Sequence, residues 1–377
     1  MKKISILYEG LSEIGGLERV MINNYKWLKN KFNVFLGFVH INEEIRKNEL
    51  YKNIEIRKIS KFPIKNESIE IMWFCLNPFI KRLNINLAIS NSFLVSYYCY
   101  RKKIPYVIYL HHPPNFLYFK SKQEEKEWIN HPKRFFAWLG GKIIGNWLRN
   151  LDKKCVKNAK LLFVNSNYTK KRIKNIYNKD AVIVYPPKNE SFKILNIKKK
   201  DFIYSHGRVI PDKKFEYIIE AMKYLPEKRL IISGTIKKSY ENILKELTKK
   251  LKLEKRVKIL GKISEKDLIR LYNEAKVFVL TAPKEDFGIV PIEAMSCGTP
   301  VVAWNDGAGP VETVIDKVNG FLAKPYDTKD LSERIKKAFN KKWDKNKIRQ
   351  TTEKFSNKVQ SKIFVKEIEK VVKNYNL

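Results

Sequence analysis

Short runs of β-branched, aliphatic and aromatic residues alternate along this chain with stretches whose apolar positions recur every three or four residues. Residues 4–8 form the first such run. Glycines at 10, 15 and 16 follow, and Val20, Met21, Tyr25 and Leu28 then fall on one helical face. Further strands are predicted at 33–39, 54–59, 86–90 and 105–110, separated by helical or looped segments. Residues 156–165 read as the last strand region of this half, and N-S-N-Y-T-K-K-R-I opens a helix with Ser166 or Asn167 as N-cap. A strand over 182–185 stops at Pro186 and Pro187, and a lysine-rich stretch to Lys200 marks the domain boundary. The alternation then resumes, with strands at 202–205, 230–234, 257–263, 277–280 and 301–303 and helices at 215–224, 329–339 and 358–373. Repeated strand–helix alternation predicts an α/β protein with parallel, doubly wound sheets.

Within this rhythm, residues 281–312, TAPKEDFGIVPIEAMSCGTPVVAWNDGAGPVE, carry the densest chemistry. Strand, glycine loop, short helix and strand follow one another, with Pro291 near the helix start and Gly298 at its end. Backbone N–H groups at Phe287, Gly288 and Ile289 would lie at the positive end of that helix, a setting that suits a diphosphate. Glu285 and Glu293 stand eight residues apart. An acceptor-only carboxylate pair beside a phosphate site fits vicinal hydroxyls of a ribose and a sugar. The plainer alternative is a first-turn capping Glu293 and a solvated Glu285, and both readings stay open at this point.

Other candidates sit at strand ends. Gly207, Arg208 and Lys213 occupy the loop after the strand at 202–205, where a guanidinium fork and an ammonium suit the charge of a departing diphosphate. Gly234 ends the next strand. His111 and His112 precede Pro113 and Pro114 at the end of the strand over 105–110; neither has companions at metal-ligand spacing, so no metal site is expected. Gly15 and Gly16 follow the first strand, where a glycine pair is also an ordinary turn signal, and Glu18 and Arg19 are candidate helix caps.

Length and composition then narrow the picture. At 377 residues the chain suits two domains of about 150–200 residues each. With 76 Lys and Arg against 39 Asp and Glu, the formal net charge is +37. Three readings compete: a lysine-rich proteome bias, attraction to an anionic membrane surface, and nucleic-acid binding. The lysines are scattered through every segment, which ranks the three in that order. Residues 133–149 interleave aromatic, aliphatic and basic residues, as an amphipathic membrane-facing segment or as aromatics packed inside the domain. Four cysteines without a C-x-x-C point to reduced thiols and a cytoplasmic setting. The N-terminus reads as a first strand and not as a signal peptide, and no apolar window is long enough to span a membrane.

The motifs resemble those of a known family. E-D-F-G-I-V-P-I-E-A-M-S-C-G-T-P-V-V-A resembles the E-x7-E signature of retaining glycosyltransferases of family 4, which have the GT-B fold. S-E-I-G-G-L-E-R-V is similar to that family's G-G-x-E-R loop, and Arg208 to Lys213 match its G-R-x4-K motif, departing at Lys214 where a glycine often stands. Y-x-H-x-P at Tyr109 to Pro113, together with Y-P-P at Tyr185 to Pro187, is similar to mannosyltransferases of lipid-linked glycan assembly.

The resemblance implies two Rossmann-like domains facing each other across a cleft: an acceptor-binding domain over 1–187, a nucleotide-sugar domain over 188–358, and a helix at 359–377 returning to the first. It implies that Glu285 contacts the donor sugar, Glu293 the ribose, and the amides of Phe287, Gly288 and Ile289 the diphosphate. Arg208 and Lys213 would stabilise the leaving phosphates and His111 would face the reacting sugar. Gly15, Gly16, Gly207 and Gly234 would let backbone approach the donor. The expected reaction is retaining hexosyl transfer from a nucleotide sugar to a glycan or polyprenyl-linked acceptor, without metal or other cofactor. GDP-mannose is the first choice of donor, with UDP-glucose and UDP-N-acetylglucosamine open, and peripheral contact with the inner face of an anionic membrane is expected. The rivals are a nucleic-acid-binding or DNA-base-glycosylating protein of the same architecture and a non-catalytic sugar- or nucleotide-binding module.

Overall fold

The computed structural model describes residues 1–12, 15–60, 67–115, 117–119, 125 and 132–377. The chain divides into two compact units, one of Met1–Pro187 with Gln360–Leu377 and one of Lys188–Val359.

Among the described residues, the first unit is built on a seven-stranded sheet in the order β3-β2-β1-β4-β5-β6-β7. The strands are β1 (Lys3–Leu11), β2 (Asn33–Ile41), β3 (Ile56–Lys58), β4 (Leu87–Ser90), β5 (Tyr106–Leu110), β6 (Leu162–Val164) and β7 (Val182–Ile183), and all pair in parallel. A parallel sheet is covered on both faces, so its strands are apolar on both. In β1, Ile4 and Ile6 enter one core and Leu7 the other. The first core is closed by α1 (Gly16–Leu28) through Val20, Met21, Tyr25 and Leu28, the helical face expected from sequence. It is closed also by the final helix, Asn357–Asn374, through Phe364, Ile368 and Val371. The opposite core takes side chains from α2 (Glu67–Leu76), α3 (Phe93–Arg101), α4 (Pro132–Asn158) and α5 (Asn167–Tyr177). Ser166 caps α5 by accepting the Thr169 N–H at 3.0 Å.

Several strand expectations shorten, among them that at 182–185 to Val182–Ile183 and that at 257–263 to Val257–Ile259. The strand expected at 54–59 is limited to Ile56–Lys58, and that expected at 156–165 to Leu162–Val164, because α4 runs on through Asn158. Val156 and Ala159 lie three apart and are both buried in the core beneath the sheet, so helical spacing outweighs the β-branched valine.

The second unit repeats the plan with six parallel strands in the order β10-β9-β8-β11-β12-β13. These are β8 (Lys200–His206), β9 (Arg229–Ser233), β10 (Val257–Ile259), β11 (Ala275–Val279), β12 (Val301–Trp304) and β13 (Gly320–Ala323). The helix expected over 215–224 forms as α6 (Glu216–Ala221) continued by a 3-10 turn, Met222–Tyr224, and α7 (Lys238–Lys250) and α8 (Glu265–Glu274) follow. In both sheets the order runs outward in two directions from the first strand, so β1/β4 and β8/β11 are switch points where loops part and leave a crevice at the strand ends.

Phe364 is the largest side chain that the final helix buries, packed at 5.7 Å from Trp27 and 4.8 Å from Phe163 between ring centroids. Phe364→Ala should destabilise the first unit by about 3–5 kcal/mol, read as a lowered denaturant midpoint with the signal of the second unit unchanged.

Candidate active site

The second unit's switch point gathers most of the motif residues. After β8 the chain passes Gly207 and exposed Arg208, buries Val209, and turns through a 3-10 segment, Pro211–Lys213. Lys214 closes that turn with φ +48°, the left-handed conformation that a glycine adopts without strain. This geometry aims Lys213 at the loop after β11, where its Nζ lies 2.5 Å from Glu285 Oε2, each side chain about a quarter exposed (25% and 23%). The Thr281 hydroxyl donates to the Lys213 carbonyl at 3.2 Å, tying the two loops together.

Glu285 is positioned from behind by a residue the motif search passed over. Asp306 accepts the Lys284 N–H at 2.7 Å on Oδ2 and the Ala308 N–H at 3.1 Å on Oδ1, while Lys284 Nζ donates to its carbonyl. The Gly309 N–H donates to the Glu285 carbonyl at 2.9 Å. A Cβ at Gly309 would stand 2.4 Å from Phe287 Cα, so the two loops touch backbone to backbone. The signal for Asp306 was its place before Gly307, since an aspartate there bonds its own backbone two residues on.

Gly288, at φ +84°, turns the chain into α9, here Ile289–Ser296. Its first amides have no intrahelical carbonyl to bond, the arrangement that receives an anion. Glu293 proves to be one turn inside this helix and not in its first turn, because the helix begins only at Ile289. It is therefore not a capping residue. Glu293 Oε2 accepts the Tyr272 hydroxyl at 3.0 Å, and burial, with the Glu293 charge adding to it, pushes the Tyr272 phenol well above its ordinary range. Gly234 has φ +140°, and a Cβ there would collide with the Gly207 carbonyl oxygen; its own N–H is bonded to the Gly261 carbonyl at 2.8 Å. At Gly207 a Cβ would meet nothing within 4 Å.

The first unit contributes its own strand-end site. Gly15 caps α1 and its N–H donates to Glu18 Oε2 at 2.8 Å, so Glu18 acts as a cap; Gly16 is the first residue of the helix. Glu13 and Ile14 lie outside the described residues. His111, partly exposed, stacks on Tyr109 with centroids 4.6 Å apart, and its Nε2 lies 3.4 Å from Asn91 Oδ1. Desolvation, with His112 adding a smaller repulsion, lowers its pKa to about 3, so the imidazole is neutral at physiological pH. His112 is exposed, with Nδ1 3.0 Å from the Pro113 carbonyl. Both histidines line a cavity of about 300 Å³ at the β1/β4 switch point.

On α4, Ile144 and Trp147 are exposed (48% and 57%), while the side chains at 132–143 lie outside the described residues. No helix among the described residues is long and apolar enough to cross a membrane.

With this geometry established, residues 187–355 match the model of the glycosyl transferases group 1 family. That match covers almost the whole of the second unit. Glycosyltransferase relatives agree: a D-inositol 3-phosphate glycosyltransferase of Mycobacterium sp. (strain KMS) is 35% identical over 133 residues, 34% of this chain and 30% of that protein. The GDP-Man:Man(3)GlcNAc(2)-PP-Dol alpha-1,2-mannosyltransferase of Dictyostelium discoideum is 29% identical over 244 residues, 57% of this chain and 48% of that one. The match thus spans between about a third and half of the length of these curated relatives. The crystal structure of HepE from Anabaena in complex with UDP-glucose superposes over the whole of both chains with a TM-score of 0.68 at 18% identity, a likeness of fold. The resemblance to family 4 glycosyltransferases and the GT-B expectation of two Rossmann-like, parallel-sheet units are borne out.

Behind α9, Lys199 donates to the Thr299 hydroxyl, and burial followed by the nearby Lys345 charge lowers its pKa to about 7. A lysine whose folded pKa lies below its unfolded value costs most stability below the folded value. That cost fades as pH rises toward the ordinary value of 10.5. The stability of the wild type relative to Lys199→Met should therefore increase by on the order of a few kcal/mol between pH 7 and pH 10.5, measured by paired denaturant titrations.

Proposed function

We propose that the chain is a nucleotide-sugar-dependent glycosyltransferase that moves a hexose, with retention of configuration, to a hydroxyl of a glycan or lipid-linked acceptor. The observation that carries this reading is the Lys213–Glu285 contact at the switch point of the group 1 domain, beside the N-terminus of α9. A fixed cation, a carboxylate and a helix N-terminus meet where a sugar diphosphate has its phosphates and its hydroxyls.

In this mechanism Arg208, Lys213 and the amides around Gly288 take up the charge that grows on the diphosphate as the sugar–phosphate bond breaks. Glu285, paired with Lys213, grips the hydroxyls of the transferred sugar. Glu293, oriented by the Tyr272 hydroxyl, takes the ribose hydroxyls. The acceptor hydroxyl attacks from the face that the diphosphate leaves, which retains configuration. His111 lines the reaction centre as a neutral imidazole, a hydrogen-bond partner and not a counter-ion. Fixed cations fill the role a metal plays elsewhere, so turnover survives chelation.

GDP-mannose is the preferred donor: the Dictyostelium relative is named for GDP-Man. The UDP-glucose complex of HepE keeps UDP sugars in the screen. Peripheral membrane contact forms part of the reading. Ile144 and Trp147 on α4, Leu76 at the end of α2 and Phe79 after it present apolar side chains to solvent on a chain of net charge +37.

Purified protein should transfer or hydrolyse at least one nucleotide hexose in the presence of EDTA. Glu285→Gln should lower kcat by about 10²–10³-fold, and Arg208→Ala with Lys213→Ala by at least as much, with circular dichroism unchanged. Full turnover by the double variant would falsify the mechanism. In sedimentation with vesicles containing phosphatidylserine, the protein should pellet at low salt and Trp147→Ala should pellet less. Equal recovery in the supernatant with neutral and anionic vesicles would remove the membrane component.

A further inference from the structure

The second unit carries a line of polar side chains that the proposed mechanism uses only at its far end. It runs from Tyr204 and His206 on β8 to Ser233 on β9, and past Tyr272 of α8 to Glu293 of α9. Tyr204 Oη lies 2.6 Å from Ser233 Oγ, which lies 2.8 Å from His206 Nδ1. Ser233 and His206 are register partners across β8 and β9. Tyr204, Ser233 and Tyr272 are wholly buried, whereas His206, the last residue of β8, is partly exposed. The imidazole stands edge-on to the Tyr272 ring with centroids 6.2 Å apart, and the Tyr272 hydroxyl donates to Glu293 Oε2 at 3.0 Å.

The buried hydroxyl protons fix the state of this ring. Those of Tyr204 and Ser233 both need acceptors, and the line offers two links. Both are satisfied when Tyr204 donates to Ser233 and Ser233 donates to Nδ1, which makes His206 the Nε2–H tautomer. The opposite tautomer would have Nδ1–H donate to Ser233 Oγ, or to the Ser233 carbonyl, which already accepts the Gly207 N–H at 3.1 Å. Either choice strands one hydroxyl proton in the core with no acceptor among the described residues. Desolvation, opposed by the Ser233 backbone, lowers the His206 pKa to about 4, so the ring is neutral at physiological pH. Nδ1 is spent on a buried partner, and the nitrogen left to the crevice at the strand ends is Nε2, a donor.

Glu293 only accepts hydrogen bonds, and an Nε2–H only donates them. A hydroxyl that meets both gives its proton to the carboxylate and receives one on its oxygen. A phosphate oxygen, having no proton to give, would be repelled by the carboxylate.

We infer that His206 is a specificity-determining residue for the sugar of the nucleotide, its Nε2–H donating to a ribose hydroxyl oxygen whose proton goes to Glu293. This rests on the proposed reading of Glu293 as the ribose carboxylate and adds a donor to that acceptor. The site then reads one hydroxyl from both sides and disfavours a nucleotide that lacks it.

The test needs no turnover. UDP, GDP and their 2′-deoxy and 3′-deoxy forms are titrated by calorimetry against the full chain. Nitrogen-labelled histidine reports the ring tautomers by NMR, with the His206 signal assigned by its absence from the variants. That signal should show a proton on Nε2 and none on Nδ1. The wild type should bind the tighter of UDP and GDP at least tenfold better than one of its two deoxy forms. His206→Asn keeps an acceptor for the Ser233 hydroxyl but is too short to reach the crevice. It should abolish the preference, weakening the ribonucleotide at least tenfold and leaving the deoxy form within about twofold. His206→Gln, whose amide nitrogen reaches the place of Nε2, should restore most of it. The inference is overturned if Nδ1 carries the proton, or if neither UDP nor GDP binds the wild type. It is equally overturned if the wild type binds ribo and deoxy forms alike, or if His206→Asn weakens both by the same factor or neither. The tautomer readout on the wild type stands whether or not His206→Asn folds, since His206→Gln also supplies the assignment. The expected binding pattern without transfer or hydrolysis of any nucleotide sugar would reject the transferase reading and leave this one standing.

Discussion

A parallel sheet covered by helices on both faces leaves its strands almost nothing but apolar side chains, and this confines polar chemistry to the strand ends. In each unit the sheet order reverses beside its first strand, so the loops after β1 and β4, and after β8 and β11, are the ones that part. Lys213, Glu285 and Gly288 are near each other for that reason, although up to 75 residues separate them in sequence. The same constraint sets Glu9, Asn91 and His111 around one cavity in the other unit.

Much of this was legible in sequence because backbone requirements leave strong marks. Most strands of both sheets announced themselves as short apolar runs, although β13 did not, and of the two N-cap candidates Ser166 is the one that caps α5. Gly288 and Gly298 marked the two ends of α9, each with positive φ. The shifts arose where two periodicities overlap: Val156 belongs to a helix because Ala159 shares its face, and that pairing is visible only once the core is assembled. Site residues separated in the same way. Glu285 and Lys213 were findable as motif positions, whereas Asp306 and Tyr272 act through hydrogen bonds spanning 21 or 22 residues that no local pattern encodes. In sequence Glu293 was open to two readings, a first-turn cap or a ribose-binding carboxylate; its helix register removes the first and makes it a partner of Tyr272.

Charge tells a similar story at another scale. A net charge of +37 describes the surface, and lysines spread over every segment say little about any one site. What distinguishes the two strand-end sites is where cations are placed and where they are withheld. Lys213 is directed at a carboxylate in the second unit, while the described walls of the cavity in the first carry none.

The last helix has a consequence for the order of events during synthesis. Phe364, Ile368 and Val371 complete the core that residues 4–184 begin, so the unit made first is the one finished last. Until Val371 has left the ribosome, that sheet has one face uncovered along β5 and β6, where Tyr109 and Phe163 meet Phe364, while residues 188–359 have everything needed to fold. The nascent protein therefore emerges with its earlier half waiting on its tail, and a nick between the two would leave an apolar sheet face open to aggregation.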